Sequence, residues 1–141
     1  ARVDPRHEDR ESGVEWALAD MVAHLPADRK VEYEFKADDD IERLAFDDAV
    51  EIQIYRILQE AISNVARHPN ATSVRLTAEI EGNAFLVRLE DNGAGFDWND
   101  AQTREGRGLN NMRSRASLID AEVQWRSGPT GGSVFTLRKT L

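Results

Sequence analysis

Between Asp48 and Pro69 the apolar residues Val50, Ile54, Ile57, Leu58, Ala61 and Val65 recur at helical spacing, which gives a long helix with one continuous apolar stripe to bury. Pro69 ends it, because the residue before a proline is pushed out of the helical region, and His68 therefore falls at the helix terminus. Straight afterwards the period changes to two. Residues Ser73 to Ile80 and Ala84 to Glu90 alternate apolar with polar side chains and are joined at Gly82-Asn83, the pattern of a tight hairpin. A long one-sided helix that feeds a hairpin needs a sheet to lie on, and the rest of the chain supplies one.

Val31, Tyr33 and Phe35 mark an earlier strand with one buried face, and Glu122 to Arg126 with Val134 to Lys139 form a closing hairpin around Gly128-Pro129-Thr130-Gly131-Gly132. Two more helices are expected. One opens at the capping pair Ser12 and Glu15 and carries Val14, Leu18, Met21, Val22 and Leu25 as far as Pro26; the other follows Gly108 and carries Leu109, Met112, Ala116 and Ile119. The long helix opens at a similar pair, Asp48 and Glu51. This order predicts an α+β fold: a two-layer sandwich with three helices on one face of a mixed sheet. Residues 1–10 read as a charged tail or linker, and 11–141 as one domain.

A length of 141 residues and a hydrophobic fraction of 40% suit a single core. The net charge of −8 argues against a nucleic-acid partner, and with no cysteine the chain has neither a disulfide framework nor thiolate metal ligands. No run approaches the roughly 20 apolar residues of a membrane-spanning helix.

Three segments carry chemistry. On the long helix Glu60 and Asn64 stand four residues apart, so both reach from one face with their Cβ atoms about 5–6 Å apart. A carboxylate and an amide carbonyl suit Mg²⁺, which takes one or two protein oxygens and fills its other positions with water and phosphate. Arg67 adds a cation one turn on. Taken alone, this segment is better read as the solvated face of an amphipathic helix. In Asp91-Asn92-Gly93-Ala94-Gly95-Phe96, at a strand end, the glycines admit a flat ligand close to the backbone, and the Asp91 carboxylate can accept a hydrogen bond from an exocyclic amine such as that of adenine; the same residues also make a plain turn. In Gly106-Arg107-Gly108-Leu109 the glycines precede a helix whose free N–H groups suit a phosphate, with Arg104, Arg107, Arg113 and Arg115 concentrating positive charge nearby; a short glycine pair by itself is more often a solvated loop.

Glu60…Asn64, Asp91-x-Gly93-x-Gly95 and Gly106-x-Gly108, in this order, resemble the N box and the two glycine boxes of the gyrase, chaperone, histidine-kinase and mismatch-repair ATPases, which share the Bergerat ATP-binding fold. The wording Tyr55-Arg56-Ile57-Leu58-Gln59-Glu60-Ala61-Ile62-Ser63-Asn64, with Gly108-Leu109-Asn110-Asn111-Met112-Arg113-Ser114-Arg115, is most similar to sensor histidine kinases of the nitrate-sensor class, and the likeness runs from about Asp47 to Leu141. The resemblance implies a catalytic domain that binds ATP and Mg²⁺. By it, Asp91 would bind the adenine amine, with Gly93, Gly95 and Phe96 around the base. Asn64 would coordinate Mg²⁺ with help from Glu60, and Arg67 and His68 would contact phosphates. Gly106, Arg107, Gly108 and Leu109 would border the phosphate end of a lid, and Ser133 would place a hydroxyl beneath the adenine. Glu60 matches the general base of the hydrolysing relatives; in a kinase it would position metal or phosphate.

Two departures from the family pattern stand out. Only a short segment separates Phe96 from Gly106, so the lid is abbreviated, and Pro69 stands where the family commonly has alanine. None of His7, His24 and His68 sits in a helical stripe fit for a phosphoacceptor. The resemblance therefore implies a C-terminal piece of a cytoplasmic kinase region whose parent is a homodimer, with an inner-membrane anchor as one option. Its partners would be the parent's own dimerisation and phosphoacceptor domain and a downstream response regulator. Two other functions compete: a serine kinase of the anti-sigma-factor type, and a nucleotide-binding module without chemistry.

Overall fold

The computed structural model describes residues 14–23, 32–66, 72–93, 104–127 and 132–141. Among these, the elements run α1 (Val14–Ala23), β1 (Glu32–Ala37), a 3-10 turn (Asp39–Arg43), α2 (Asp48–Ala66), β2 (Ser73–Glu81), β3 (Ala84–Asp91), α3 (Arg104–Ser117), β4 (Ala121–Ser127) and β5 (Ser133–Thr140). The five strands form one sheet in the order β1-β2-β3-β5-β4; β1 runs parallel to β2 and every other pair is antiparallel. The expected α+β sandwich is what the chain forms.

Strand alternation decides which face meets the helices. Val74, Leu76 and Ala78 of β2 lie opposite Asp91, Leu89 and Val87 of β3, and these stand opposite Ser133, Phe135 and Leu137 of β5. The apolar members of that set are buried in one core with Ile54, Ile57, Leu58, Ala61 and Val65 of α2. Leu18 and Met21 of α1, Ile41, and Leu109, Met112 and Ala116 of α3 complete it. Phe85 and Phe135 are fully enclosed, and removing either ring would cost about 3–5 kcal/mol. The opposite face carries mostly polar residues around the buried Ala84, Leu86 and Val134; its Arg75–Glu34 ion pair, at 2.9 Å, is exposed and contributes little.

Two helix ends differ from the sequence expectation. Asp47, not Asp48, closes the first turn of α2, its carbonyl accepting the N–H groups of Val50 and Glu51, while the Glu51 carboxylate reaches back to the Phe46 backbone. The third helix begins at Arg104, before the glycine pair rather than after it, so Gly106 and Gly108 are helical residues. At its far end Asp120 takes a left-handed φ of 59°, and the Lys139 ammonium donates to the Ile119 carbonyl at 2.7 Å. The expected caps Ser12 and Pro26 lie outside the described residues.

Candidate nucleotide-binding site

The site has two halves, one on the sheet and one between helices. Asp91 is the last residue of β3 and Ser133 the first of β5, paired directly across the strands. Both share the parity of Leu89 and Phe135, so their side chains face the helix layer. Two donors hold the Asp91 carboxylate: the buried Ser133 hydroxyl bonds Oδ2, and the Gly93 N–H bonds Oδ1 at 2.9 Å. Behind it, Gly132 has φ 73°, and a Cβ there would lie 2.0 Å from the Asp91 carbonyl oxygen. Only glycine fits. A carboxylate so oriented, with glycine backbone on both sides, presents acceptor lone pairs to a planar amine.

The second half lies where α3 crosses α2. Asn64 is completely buried and Glu60 half-buried, one turn apart on α2. The helix packed over them is α3 at Gly108, where a Cβ would stand 3.0 Å from the Glu60 Oε2 and 3.5 Å from the Asn64 Nδ2. The missing side chain is what brings the third motif against the first. Beside this contact a cleft of about 620 Å³ opens, lined by Arg56, Gln59 and Glu60 of α2 and by Arg107, Asn111 and Arg115 of α3. Three guanidinium groups against one carboxylate make its field positive, although the chain as a whole is acidic. Its size is that of an ordinary ligand pocket. Arg115 is steadied by donating to the Gln53 side-chain Oε1 at 3.0 Å.

These residues fit a nucleotide with a divalent ion. Glu60 and Asn64 offer hard oxygen donors, and among the described residues no three acidic, histidine or cysteine side chains gather to hold a metal alone, so phosphate oxygens would have to complete its shell. Leu109 is buried in the core, so its side chain anchors α3 and only its backbone is left to meet a ligand. Arg67, His68, Gly95 and Phe96 lie outside the described residues.

Residues 49–141 match the family of histidine kinase-, DNA gyrase B- and HSP90-like ATPases. The chain belongs to that family. This ATPase domain is 33% identical over 125 residues to the sensor protein VraS of Staphylococcus saprophyticus, which covers 89% of the chain and 36% of that protein. The chain thus spans about a third of the length of the curated relatives it matches. In fold the ATPase domain is similar to the catalytic domain of histidine kinase ThkA, with a TM-score of 0.72 at 12% identity over 92% of this chain and 94% of that one. It is similar also to the blue-light activated histidine kinase of Erythrobacter litoralis, with a TM-score of 0.72 at 17% identity over 95% of this chain and 43% of that one. The family and fold expected from the three motifs are those found.

Reading the sequence alone missed three residues of the site. Gly132 was one glycine among several in a turn, and its close approach to Asp91 depends on strand register. Arg56 carries no signal of its own in the sequence, and only the α2–α3 crossing marks it as a cleft residue. Asn92 had turn chemistry as its only signal.

Proposed function

We propose that the chain is the ATP-binding catalytic domain of a two-component sensor kinase, which holds Mg-ATP and offers its terminal phosphate to a histidine on a separate dimerisation segment. The observation that supports this reading is the Asp91 carboxylate, turned toward the helices and held by Ser133 and Gly93, an acceptor of the kind that an adenine amine needs. Asp91 binds the base. Asn64, with Glu60 beside it, holds the divalent ion, and the arginines of the α2–α3 cleft neutralise phosphate charge. Bound Mg²⁺ supplies the charge neutralisation that loosens the terminal phosphoryl group. What this chain's own residues contribute is positioning, which is most of what phosphoryl transfer needs. Glu60 acts here as a positioning carboxylate for metal or phosphate. Residues 11–141 form the domain, and its partners are the acceptor domain of its own parent, in a homodimer, and a response regulator. No described helix is long and apolar enough to cross a membrane.

The test is titration of the chain with ATP and with GTP, with and without Mg²⁺. Selective ATP binding is expected. Asp91→Ala should weaken it by about 10- to 100-fold, the loss of one hydrogen bond to a charged group. Asn64→Ala should remove the Mg²⁺-dependent part and leave adenosine binding intact. Wild-type ATP affinity in both variants would overturn the assignment.

A further inference from the structure

Asn92 lies between Asp91 and Gly93, the residue whose N–H holds the Asp91 carboxylate, and its own side chain points away from them to the start of β2. Its Oδ1 accepts the N–H groups of both Thr72 and Ser73 at 2.9 Å, and its Nδ2 donates to the Thr72 hydroxyl at 2.9 Å. Its backbone N–H donates to the Ser73 carbonyl at 3.3 Å. Two N–H donors on one atom fix which end of the amide is the carbonyl, so the orientation follows from the network. Thr72 is itself anchored, because its carbonyl accepts the Glu32 N–H that opens the β1–β2 pairing.

This clamp is exposed, so it is poorly placed to add stability by burial. Its geometry does something else. The β2–β3 ladder ends at the Val74–Asp91 pair, and one residue later the chain must turn so that the Gly93 N–H comes back onto Asp91 Oδ1. Four bonds from residue 92 to residues 72 and 73 leave that turn one orientation.

We infer that Asn92 is a positioning residue for nucleotide binding: by clamping Thr72 and Ser73 it sets the turn that aims the Gly93 N–H at Asp91, and with it the base-binding carboxylate. The inference rests on the nucleotide reading above and adds to it a residue that need touch no ligand.

Asparagine is not the only residue able to make the clamp. An aspartate accepts the same two N–H groups and takes the Thr72 hydroxyl as a donor, whereas alanine makes none of these bonds. Asn92→Ala is therefore expected to bind ATP about tenfold more weakly well below its melting temperature, and Asn92→Asp to stay within about threefold of wild type. In Asn92→Ala the Gly93 amide resonance should shift toward that of a free N–H. A purely structural role would lower the melting temperature and leave affinity and the Gly93 signal alone. Unchanged ATP affinity in folded Asn92→Ala, or an equal loss in Asn92→Asp, overturns the inference. Should Asn92→Ala not fold, Thr72→Val, which deletes one of the bonds at an exposed site, decides: about threefold weaker binding with a moved Gly93 signal supports the clamp, and no change in either overturns it. If wild type binds no ATP, the nucleotide reading fails and this inference with it. If wild type binds and only the Asn92 variants behave as wild type, the clamp alone fails.

Discussion

The sheet half and the helix half of the site are built on different principles. Around Asp91 the arrangement is built on backbone at the end of the strand pairing: Ser133 is its register partner, Gly132 is pressed against its carbonyl, and the Gly93 N–H, just beyond the ladder, closes on its carboxylate. Around Asn64 the arrangement follows from two helices in contact through a missing side chain, with Glu60 and the arginines of the cleft as long, flexible neighbours. Interlocked backbone tolerates no intrusion, because nothing nearby can move without breaking the ladder. Side-chain ends can give way. The sheet half is thus a fixed template, and the helix half is an adjustable contact between otherwise well-anchored helices.

The sharpest way to break this comparison is to add one methyl group to each half. Gly132→Ala puts a Cβ 2.0 Å from the Asp91 carbonyl oxygen at a residue with φ 73°. The cost should be about 2–4 kcal/mol from overpacking and left-handed strain together, and ATP binding should be lost. Gly108→Ala puts its Cβ 3.0 Å from a carboxylate oxygen at the tip of Glu60. That oxygen can swing aside, and alanine improves helix propensity by about 1 kcal/mol, so stability should change by less than about 1 kcal/mol in either direction. The effect should fall instead on Mg²⁺-dependent affinity. Denaturant melts beside ATP titrations check both; equal destabilisation by the two substitutions would refute the distinction.

A smaller effect tests the template from within. Ser133→Ala removes one of the two donors that hold Asp91 and should weaken ATP binding roughly fivefold, the worth of about 1 kcal/mol. Ser133→Thr keeps the hydroxyl and should bind as wild type if the buried site accepts the extra methyl. The loss should be the same with and without Mg²⁺, because the metal ligands proposed above lie in the other half. A loss seen only with Mg²⁺ would tie Ser133 to the phosphate end instead.

How far the sequence reveals the two halves follows the same division. That Glu60 and Asn64 share one face of α2 was legible because helical spacing is local, and the place of Asp91 at a strand end was legible because a carboxylate there followed by glycines is a short pattern. The strands were legible because alternation such as Val74, Leu76, Ala78 needs only a few residues. The start of α3 was not. Gly106 and Gly108 have the low helix propensity of glycine and read as a loop, whereas both are helical in the fold, and the missing side chain of Gly108 lets α3 lie close against α2. The Asp91–Ser133 bond spans 42 residues and the Asn92 clamp about 20, and neither separation has a periodicity to betray it. What stayed hidden depends on register between distant strands or on where two helices touch.

The smallest expected effect lies at the start of α2, remote from Asn64 along the same helix. Burial raises the Glu51 carboxyl above the ordinary value, more than the bond from the Phe46 backbone lowers it, and neighbouring Asp48 adds to the rise. A carboxyl raised in the folded state binds its proton more tightly there than in the unfolded chain. It therefore contributes stability that is fully present below the unfolded value of about 4.5 and is lost as pH rises through the folded value. Glu51→Gln, which can still accept the Phe46 N–H, should remove that fall. Its melting temperature should drop less than that of wild type between pH 4 and pH 7, by an amount worth a few tenths of a kcal/mol on a partly exposed group. ATP affinity at neutral pH should stay the same, because α2 is anchored along its whole stripe and a change at its first turn need not move Glu60 or Asn64. A matching pH profile in the two proteins would remove Glu51 from the account. A shift in Mg²⁺-dependent affinity alone would show instead that the helix transmits displacement along its length, and the adjustable half of the site would then extend well beyond the Gly108 contact.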